Sequence, residues 1–381
     1  MNAEPSLDPQ RRVYFLSGFD PRGGAHYYRL FAEQLRRHGQ QQHRALQLGR
    51  RRGQSDALLS RWTVREDHAL TLELAFLHWD DIARQHWPRH PLRLLWDGCV
   101  FAWWYLLRGG LFQIARMSPS VALCGAYPVL FAAVALSVVL ASGWLTGSLL
   151  SALGVWLPVA AGLALLLMAW LTLKAWQLAE SLGVVWLFRS IRFTHALGQA
   201  RDQGLRERVR QLVQRLLTLE RESPATELLL VGHSSGSFVM AMLAAELRRQ
   251  PEWSQLVPRV RLLSLGQNLA NLAVHRQARQ FHQDLIDLAV EPRPVWLDVT
   301  SRDDYLCFAG VDPYRSCGLP LPEGSAYPEL RLIDLAQPRG IASWWQLMGC
   351  QFDLHFDYLR SRSGPGAQFN WWALLLEPVH G

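Results

Sequence analysis

The chain has 381 residues, half of them hydrophobic and 19% charged, with a formal net charge of +7. A positive balance raises the question of a nucleic-acid ligand, but the arginines are scattered, and the densest group, residues 50–52, has no interleaved aromatic residues. We therefore expect no nucleic-acid binding, and arginines beside apolar segments fit anionic lipid head groups better.

The five cysteines are widely spaced and form no CxxC or Cys/His metal pattern. They indicate free thiols in a reducing compartment. The first twelve residues, MNAEPSLDPQRR, lack the apolar segment of a secretory signal. We expect no cofactor and no metal.

Strand and helix patterns alternate along the first 90 residues. Apolar runs predict strands over 13–17, 43–48 and 72–79, and helical spacing predicts a helix over 25–37. Such alternation is typical of a parallel sheet with crossover helices.

Residues 91–192 break this pattern and are expected to form a membrane insertion. Segment 92–107 is apolar and Trp-rich but charged at two positions, which favours an interfacial helix. Residues 121–142 and 149–173 carry no charge over the length that a bilayer requires. We therefore expect two transmembrane helices joined by a turn at 143–148.

The charges flanking these two spans predict their orientation. Arg108 and Arg116 precede the spans, Lys174, Arg189 and Arg192 follow them, and the expected turn has no charge. The positive-inside rule places both ends, and the globular part with them, on the cytoplasmic side of a bacterial-type inner membrane.

The alternating pattern returns after the insertion. Helices are predicted over 201–220, 238–249 and 269–288, and strands over 227–231, 260–265, 294–300 and 329–335. We expect residues 1–90 and 193–381 to form one α/β domain that residues 91–192 interrupt.

The stretch 227–242, ELLLVGHSSGSFVMAM, carries the clearest chemical signal. An apolar strand pattern runs into a G-x-S-x-G sequence, and an apolar helix pattern follows, which is the setting of a nucleophile elbow. In such a tight turn Gly232 and Gly236 avoid backbone clashes, and Ser234 is presented as the nucleophile. The positive end of the following helix lies behind it.

This stretch resembles the elbow of the α/β-hydrolase superfamily, specifically its lipase- and esterase-like members, which commonly read G-H-S-x-G. The resemblance covers residues 11–90 and 200–360, interrupted by the expected membrane hairpin. It implies an eight-stranded, mostly parallel sheet. It also implies a catalytic triad in the chain order serine, acid, histidine.

The resemblance locates the acid in the turn after strand 294–300, commonly three residues before an apolar one. This selects Asp303, with Asp304 as the alternative. The base must follow the last core strand, and His355 is preferred over His380, which lies beside the C-terminus. His355 would remove the Ser234 proton, and the acid would orient its ring.

The loop 17–24, which follows the first strand, resembles the H-G-type loop of lipases, with Ser17 where those have histidine. It implies the Phe19 N–H as one oxyanion donor, with Gly18 as the alternative. The residue after the nucleophile, Ser235, would supply the second donor. Candidate pocket residues are Gly18, His26 and His233.

These features predict a membrane-anchored serine hydrolase that cleaves or transfers an acyl group from an ester or thioester. A lipid-like substrate is expected only because the insertion would hold the site near a bilayer. A peptidase or amidase on the same residues and a catalytically silent, membrane-tethered interaction protein remain alternatives. The pair Asp80-Asp81 has no nearby His or Cys, which favours a helix cap over a metal site. The oligomeric state stays open.

Overall fold

The computed structural model describes residues 10–52, 56–66, 69–87, 96, 98–100, 102–201, 203–321, 326–362 and 368–376. The chain divides into two compact units. Unit 1 consists of Met1–Trp87 and Thr194–Gly381, and unit 2 is Pro88–Phe193.

The sheet of unit 1 contains eight strands among the described residues. They are β1 (Arg11–Leu16), β2 (Leu46–Leu48), β3 (Leu59–Glu66), β4 (Ala69–Leu77), β5 (Glu227–His233), β6 (Val260–Leu265), β7 (Val295–Thr300) and β8 (Glu329–Leu332). Their order across the sheet is β2-β3-β4-β1-β5-β6-β7-β8. Of these strands β3 alone runs opposite to the rest, since it pairs antiparallel with β2 and β4 while every other neighbouring pair is parallel. A mostly parallel α/β sheet is thus confirmed.

Helices flank the strands in unit 1 and dominate unit 2. In chain order they are α1 (Gly23–Gln42), α2 (Asp80–Gln85), α3 (Gly110–Met117), α4 (Pro119–Ala152), α5 (Leu157–Ser181), α6 (Val184–Gly198), α7 (Gly204–Glu222), α8 (Gly236–Arg248), α9 (Trp253–Leu256), α10 (Leu269–Ala273), α11 (Arg279–Ala289), α12 (Pro313–Cys317), α13 (Trp344–Gly349), α14 (Gln351–His355) and α15 (Trp371–Leu376). A π-helix, Ala102–Leu107, precedes α3.

The centre of unit 1 is strand β5 with helix α8. Every residue of β5 is buried, as expected for a strand of a parallel sheet that is covered on both faces. Helix α8 is buried at all but two of its positions, and its sequence is accordingly apolar on every side. The junction between β5 and α8 therefore sits in well-packed surroundings.

Several expected elements differ in their limits. The strand expected over 43–48 is confirmed only for Leu46–Leu48, because α1 continues to Gln42. Strand β3 is absent from the sequence-based expectation. The single helix expected over 269–288 is two helices, α10 and α11.

In unit 2, α4 and α5 are two helices long and apolar enough to cross a membrane. Only 17% and 11% of their most apolar windows are buried within the protein. The turn expected at 143–148 is wrong, since α4 runs through it and the chain turns at residues 153–156. Gly143 lies against Met168 of α5, so this glycine permits close helix packing rather than a turn. Residues 92–95, 97 and 101 of the expected interfacial helix lie outside the described residues.

Candidate active site

Ser234 occupies the sharp turn between β5 and α8. Its φ is +57°, a left-handed conformation that is uncommon for a residue with a side chain. Its N–H donates to Leu265 O at 2.9 Å, which ties the turn to the end of β6. The chain here has the strand, turn and helix that the sequence predicts.

Backbone crowding explains the two glycines of the turn. A Cβ on Gly232 would lie 2.5 Å from Gly236 O. A Cβ on Gly236 would meet the carbonyl oxygens of Leu16 and Ser17, the latter at 2.5 Å. Both obstacles are backbone atoms of neighbouring elements, so a side chain at either position requires the turn to move.

His355, at the end of α14, is paired with a buried carboxylate. Its Nδ1 lies 2.7 Å from Asp304 Oδ2. The same oxygen accepts from the Tyr358 hydroxyl at 3.1 Å, and Leu306 N–H donates to Oδ1 at 3.0 Å. Burial alone would raise the pKa of Asp304, but the charge of His355 and the hydrogen bonds from His355 and Leu306 bring it below its ordinary value. Because an ionised carboxylate only accepts, Nδ1 of His355 carries the proton.

The carboxylate beside His355 is that of Asp304, the alternative in the sequence analysis, and not that of Asp303, the preferred residue there. Asp303 Oδ2 accepts from the N–H groups of Leu335 and Ala336, each at 3.0 Å. It thereby holds the chain that follows β8. The turn after β7 directs the second carboxylate inward, which the rule based on spacing from an apolar residue does not predict.

His233, a predicted pocket residue, instead supports the backbone of His355. Its Nε2 donates to His355 O at 2.8 Å, and the two rings lie 4.9 Å apart. Burial, followed by the charge of His355, lowers the pKa of His233 to about 3. His233 is therefore neutral at physiological pH.

Ser234 and His355 are not hydrogen-bonded to each other in the contacts that the structure describes. Ser234 Oγ contacts the side chain of Asn268, whose Nδ2 lies 3.3 Å away. His355 Nε2 is buried and has no hydrogen-bond partner among the described residues. Asn268 is absent from the sequence-based candidates, although it follows β6 at the carboxyl edge of a parallel sheet, where ligands commonly bind.

The loop after β1 packs directly on Ser234. A Cβ on Gly18 would lie 3.0 Å from Ser234 Cβ and 3.3 Å from its Oγ. The buried Phe19 ring stacks on Trp87 at 5.8 Å. Ser235 directly precedes α8, whose first N–H groups have no partner within the helix. His26 lies on α1, half-buried, and no described contact joins it to the residues around Ser234.

A second set of serine, histidine and aspartate lies elsewhere in unit 1. Ser60 Oγ is 2.9 Å from His78 Nε2, and His78 Nδ1 is 3.0 Å from Asp80 Oδ1. Asp80 also pairs with Arg84, whose guanidinium donates to Pro21 O at 2.9 Å. Ser60 is the second residue of β3 and is 2% exposed. Its extended strand position, without a sharp turn such as the one at Ser234, argues against a nucleophile there.

In the described ranges, no group of three or more His, Cys, Asp and Glu side chains is arranged to hold a metal ion. Comparisons of the chain with protein families, with curated proteins and with solved structures found no match in any of the three.

Proposed function

We propose that this protein is a membrane-anchored serine hydrolase of α/β-hydrolase type that uses Ser234 to form an acyl-enzyme. The observation that carries the proposal is Ser234 itself. It holds a left-handed φ of +57° between a buried parallel strand and an apolar helix. Such strain in a non-glycine residue persists where the surroundings enforce it, and it is concentrated at functional sites.

The proposed reaction begins with attack of Ser234 Oγ on the carbonyl carbon of an ester or thioester. His355 Nε2 accepts the serine proton and then returns it to the departing alcohol or thiol. Water, deprotonated by His355, cleaves the acyl-enzyme and restores Ser234. The N–H groups of Phe19 and Ser235 are the proposed donors to the oxyanion.

Asp304 supports this assignment because its surroundings keep it ionised. A buried carboxylate that faces the Nδ1–H of His355 fixes the ring with Nε2 as the acceptor, and it stabilises the imidazolium that forms during attack. Among the described residues Asp304 is ion-paired with His355 and with no arginine or lysine. Its negative charge is thus available to the histidine.

The proposed proton transfer requires a hydrogen bond between Ser234 Oγ and His355 Nε2, which the described contacts do not include. Catalytic hydrogen bonds are often long or poorly aligned without substrate and tighten in the complex. Rotation of the Ser234 side chain about its Cα–Cβ bond is the movement that the proposal requires.

The membrane part of the proposal rests on α4 and α5. Their apolar surfaces are exposed in the structure, which is unfavourable in water and favourable in lipid. We place the turn at residues 153–156 outside and the positively flanked ends in the cytoplasm. A lipid-like acyl substrate follows from this location.

The test is labelling of membranes that contain the full chain with a fluorophosphonate. We compare wild type, Ser234→Ala and the matched control Ser60→Ala, which makes the same chemical change in the second Ser–His–Asp set. Wild type and Ser60→Ala are expected to label, and Ser234→Ala is expected to lose labelling completely. The labelled protein should stay with the membrane after carbonate washing. A charged, impermeant probe should reach Ser234 in inside-out vesicles only.

Each other outcome overturns a named part of the proposal. Labelling that is lost in Ser60→Ala and kept in Ser234→Ala would move the nucleophile to Ser60. A folded, membrane-bound wild type that does not label would contradict the hydrolase and favour a tethered interaction protein. Labelling in right-side-out vesicles only would reverse the orientation.

A further inference from the structure

We propose that Asn268 is a catalytic residue whose side-chain N–H stabilises the negative charge that develops on Ser234 Oγ when this oxygen loses its proton. The inference rests on the proposed function, since it concerns the same nucleophile. It assigns a donor to the attacking oxygen, in addition to the donors proposed for the substrate's oxyanion.

The orientation of the Asn268 amide follows from its second partner. Asn268 Nδ2 lies 3.2 Å from Leu306 O and 3.3 Å from Ser234 Oγ. A backbone carbonyl oxygen only accepts hydrogen bonds, so the amide atom that faces Leu306 must be the NH₂ group. One hydrogen of that group points to Leu306 O, and the other is directed at Ser234.

Asn268 is also tied to the turn through its backbone. Its N–H donates to Ser237 Oγ at 3.0 Å, and Ser237 Oγ donates to Ser234 O at 2.6 Å. The side chain of Asn268 is therefore held against the same short segment that carries the nucleophile. A donor fixed in this way need not reorganise when charge appears on Oγ.

The two residues before Asn268, Gly266 and Gln267, also hold it in position. Gly266 has a φ of +55°, and a Cβ there would lie 2.7 Å from the Tyr358 ring and 3.2 Å from His355 Cε1. Gln267 Nε2 donates to Phe308 O at 3.0 Å and to Val311 O at 3.2 Å. The segment after β6 is thus packed against His355 and anchored by hydrogen bonds on both sides.

The amide determines where the Ser234 proton points. Because Asn268 offers only donors to Ser234 Oγ, the serine accepts there and directs its own O–H to a different acceptor. His355 Nε2 is a buried acceptor without a partner among the described residues. During attack the O–H bond breaks and the proton passes to Nε2. The electron pair on Oγ forms the new bond to the carbonyl carbon, and the C=O π pair moves to the substrate's oxygen. A donor on Oγ favours its charged form throughout this step.

The experiment measures the rate constant of fluorophosphonate labelling in the full-length, membrane-bound protein. Asn268→Leu removes the donor and keeps the size of the side chain, and Asn271→Leu makes the same change three residues away in α10. We expect Asn268→Leu to label ~10- to 100-fold more slowly than wild type. Asn271→Leu should label within about twofold of wild type, because no role at Ser234 is assigned to it.

Asn268→Asp separates a catalytic from a structural role. This nearly isosteric change replaces the donor by a carboxylate, which regains one O–H donor only when protonated. The ratio of its labelling rate to that of wild type should therefore rise as the pH falls, whereas a purely structural defect gives a constant ratio.

The outcomes distinguish this inference from the proposed function. If Asn268→Leu labels at the wild-type rate while Ser234→Ala does not label, Asn268 has no catalytic role and the function stands. If Asn268→Leu is unfolded, the pH dependence of Asn268→Asp decides, and a constant ratio overturns the inference. A wild type that does not label overturns both.

Discussion

The described residues include two sets of serine, histidine and aspartate, and the set with the more complete hydrogen bonding is not the one proposed to be catalytic. Ser60, His78 and Asp80 are joined at 2.9 and 3.0 Å. Ser234 lacks the corresponding bond to His355. On the proposed assignment, the backbone around each serine is a better criterion for a nucleophile than a chain of hydrogen bonds.

The two serines differ first in their backbone. Ser60 lies near the start of an extended strand and pairs with Phe76 of β4. Ser234 is strained at the start of a helix whose first N–H groups and positive end face it. Only Ser234 is placed where a developing negative charge is stabilised.

The carboxylates of the two sets, Asp80 and Asp304, also have different partners, and the difference again favours the set that contains Ser234. The burial of Asp80 is offset by His78 and Arg84 together, and its pKa is lowered by both. Asp304 directs its charge at His355. His78 thus shares its carboxylate with an arginine, which weakens the case for His78 as a base.

Asp304→Asn tests the comparison of the two Ser–His–Asp sets and is expected to change the labelling rate most. The amide can present an N–H to His355 Nδ1, which places the ring proton on Nε2 and removes the acceptor for the serine proton. We expect the labelling rate to fall ~10³- to 10⁴-fold, as in triads that lose their acid. The measurement is the fluorophosphonate labelling rate at pH 7.5.

Asp303→Asn is the matched control for this change. Its carboxylate holds Leu335 and Ala336 and not His355, so labelling should change less than about threefold while stability falls by about 1 kcal/mol. An equal loss of labelling in both variants would contradict the choice of Asp304.

A smaller effect is expected from Gly236→Ala. The new Cβ would meet the backbone carbonyl oxygens of Leu16, the last residue of β1, and Ser17, which follows it, and these cannot rotate away. Overpacking of this kind costs ~1–3 kcal/mol, and here it also displaces Ser234. Labelling should slow and be lost at a lower temperature, as measured by labelling after heating.

Gly349→Ala is the control, because a Cβ there meets nothing within 4 Å and its φ is not positive. Gly349→Ala should leave both the labelling rate and the temperature at which labelling is lost unchanged. Equal behaviour of the two variants would show that the turn at Ser234 is not under backbone strain.

The sequence predicts the elements whose pattern is local. The buried strand β5, the turn at Ser234 and helix α8 follow from one apolar run, two glycines and a second apolar run. The two apolar helices follow in the same way. Their turn does not, since Gly143 and Gly147 are small residues within α4 that resemble a turn in sequence and pack against α5 in the structure.

Features that depend on distant partners are not predicted. Arg12 is fully buried in β1 because Glu73 and Glu220 pair with it, at 2.9 and 2.5 Å. Strand β3 carries several charged residues and is recognisable as a strand only from its pairing. Asp304 and Asn268 belong to this group, since their roles depend on contacts with residues 51 and 34 positions away.

The smallest effect on labelling, and a clear one on stability, is expected at a third buried carboxyl group. Asp298, in β7, is fully buried like Asp304, but Ser264 is its hydrogen-bond partner and Oδ2 has none among the described residues. Burial raises the pKa of Asp298 to about 8, whereas the pKa of Asp304 is lowered. Asp304 has partners that favour its ionised form, first among them the charge of His355, and within the described part of the chain Asp298 has only Ser264.

Asp298→Asn should therefore stabilise the protein increasingly as the pH rises. Between the ordinary pKa of 3.8 and about 8, the folded state keeps the Asp298 proton and the unfolded state does not, so wild-type stability falls with rising pH. Asparagine removes this loss, which is on the order of 1 kcal/mol per pH unit. The stability difference between Asp298→Asn and wild type is measured by heating both at pH 5, 6.5 and 8 and then labelling them. A difference that does not grow with pH would mean that Asp298 is ionised in the folded protein. At Asp304 the sign is opposite, because its lowered pKa stabilises the fold above pH 3.8 and this stabilisation disappears only as the pH falls below that value.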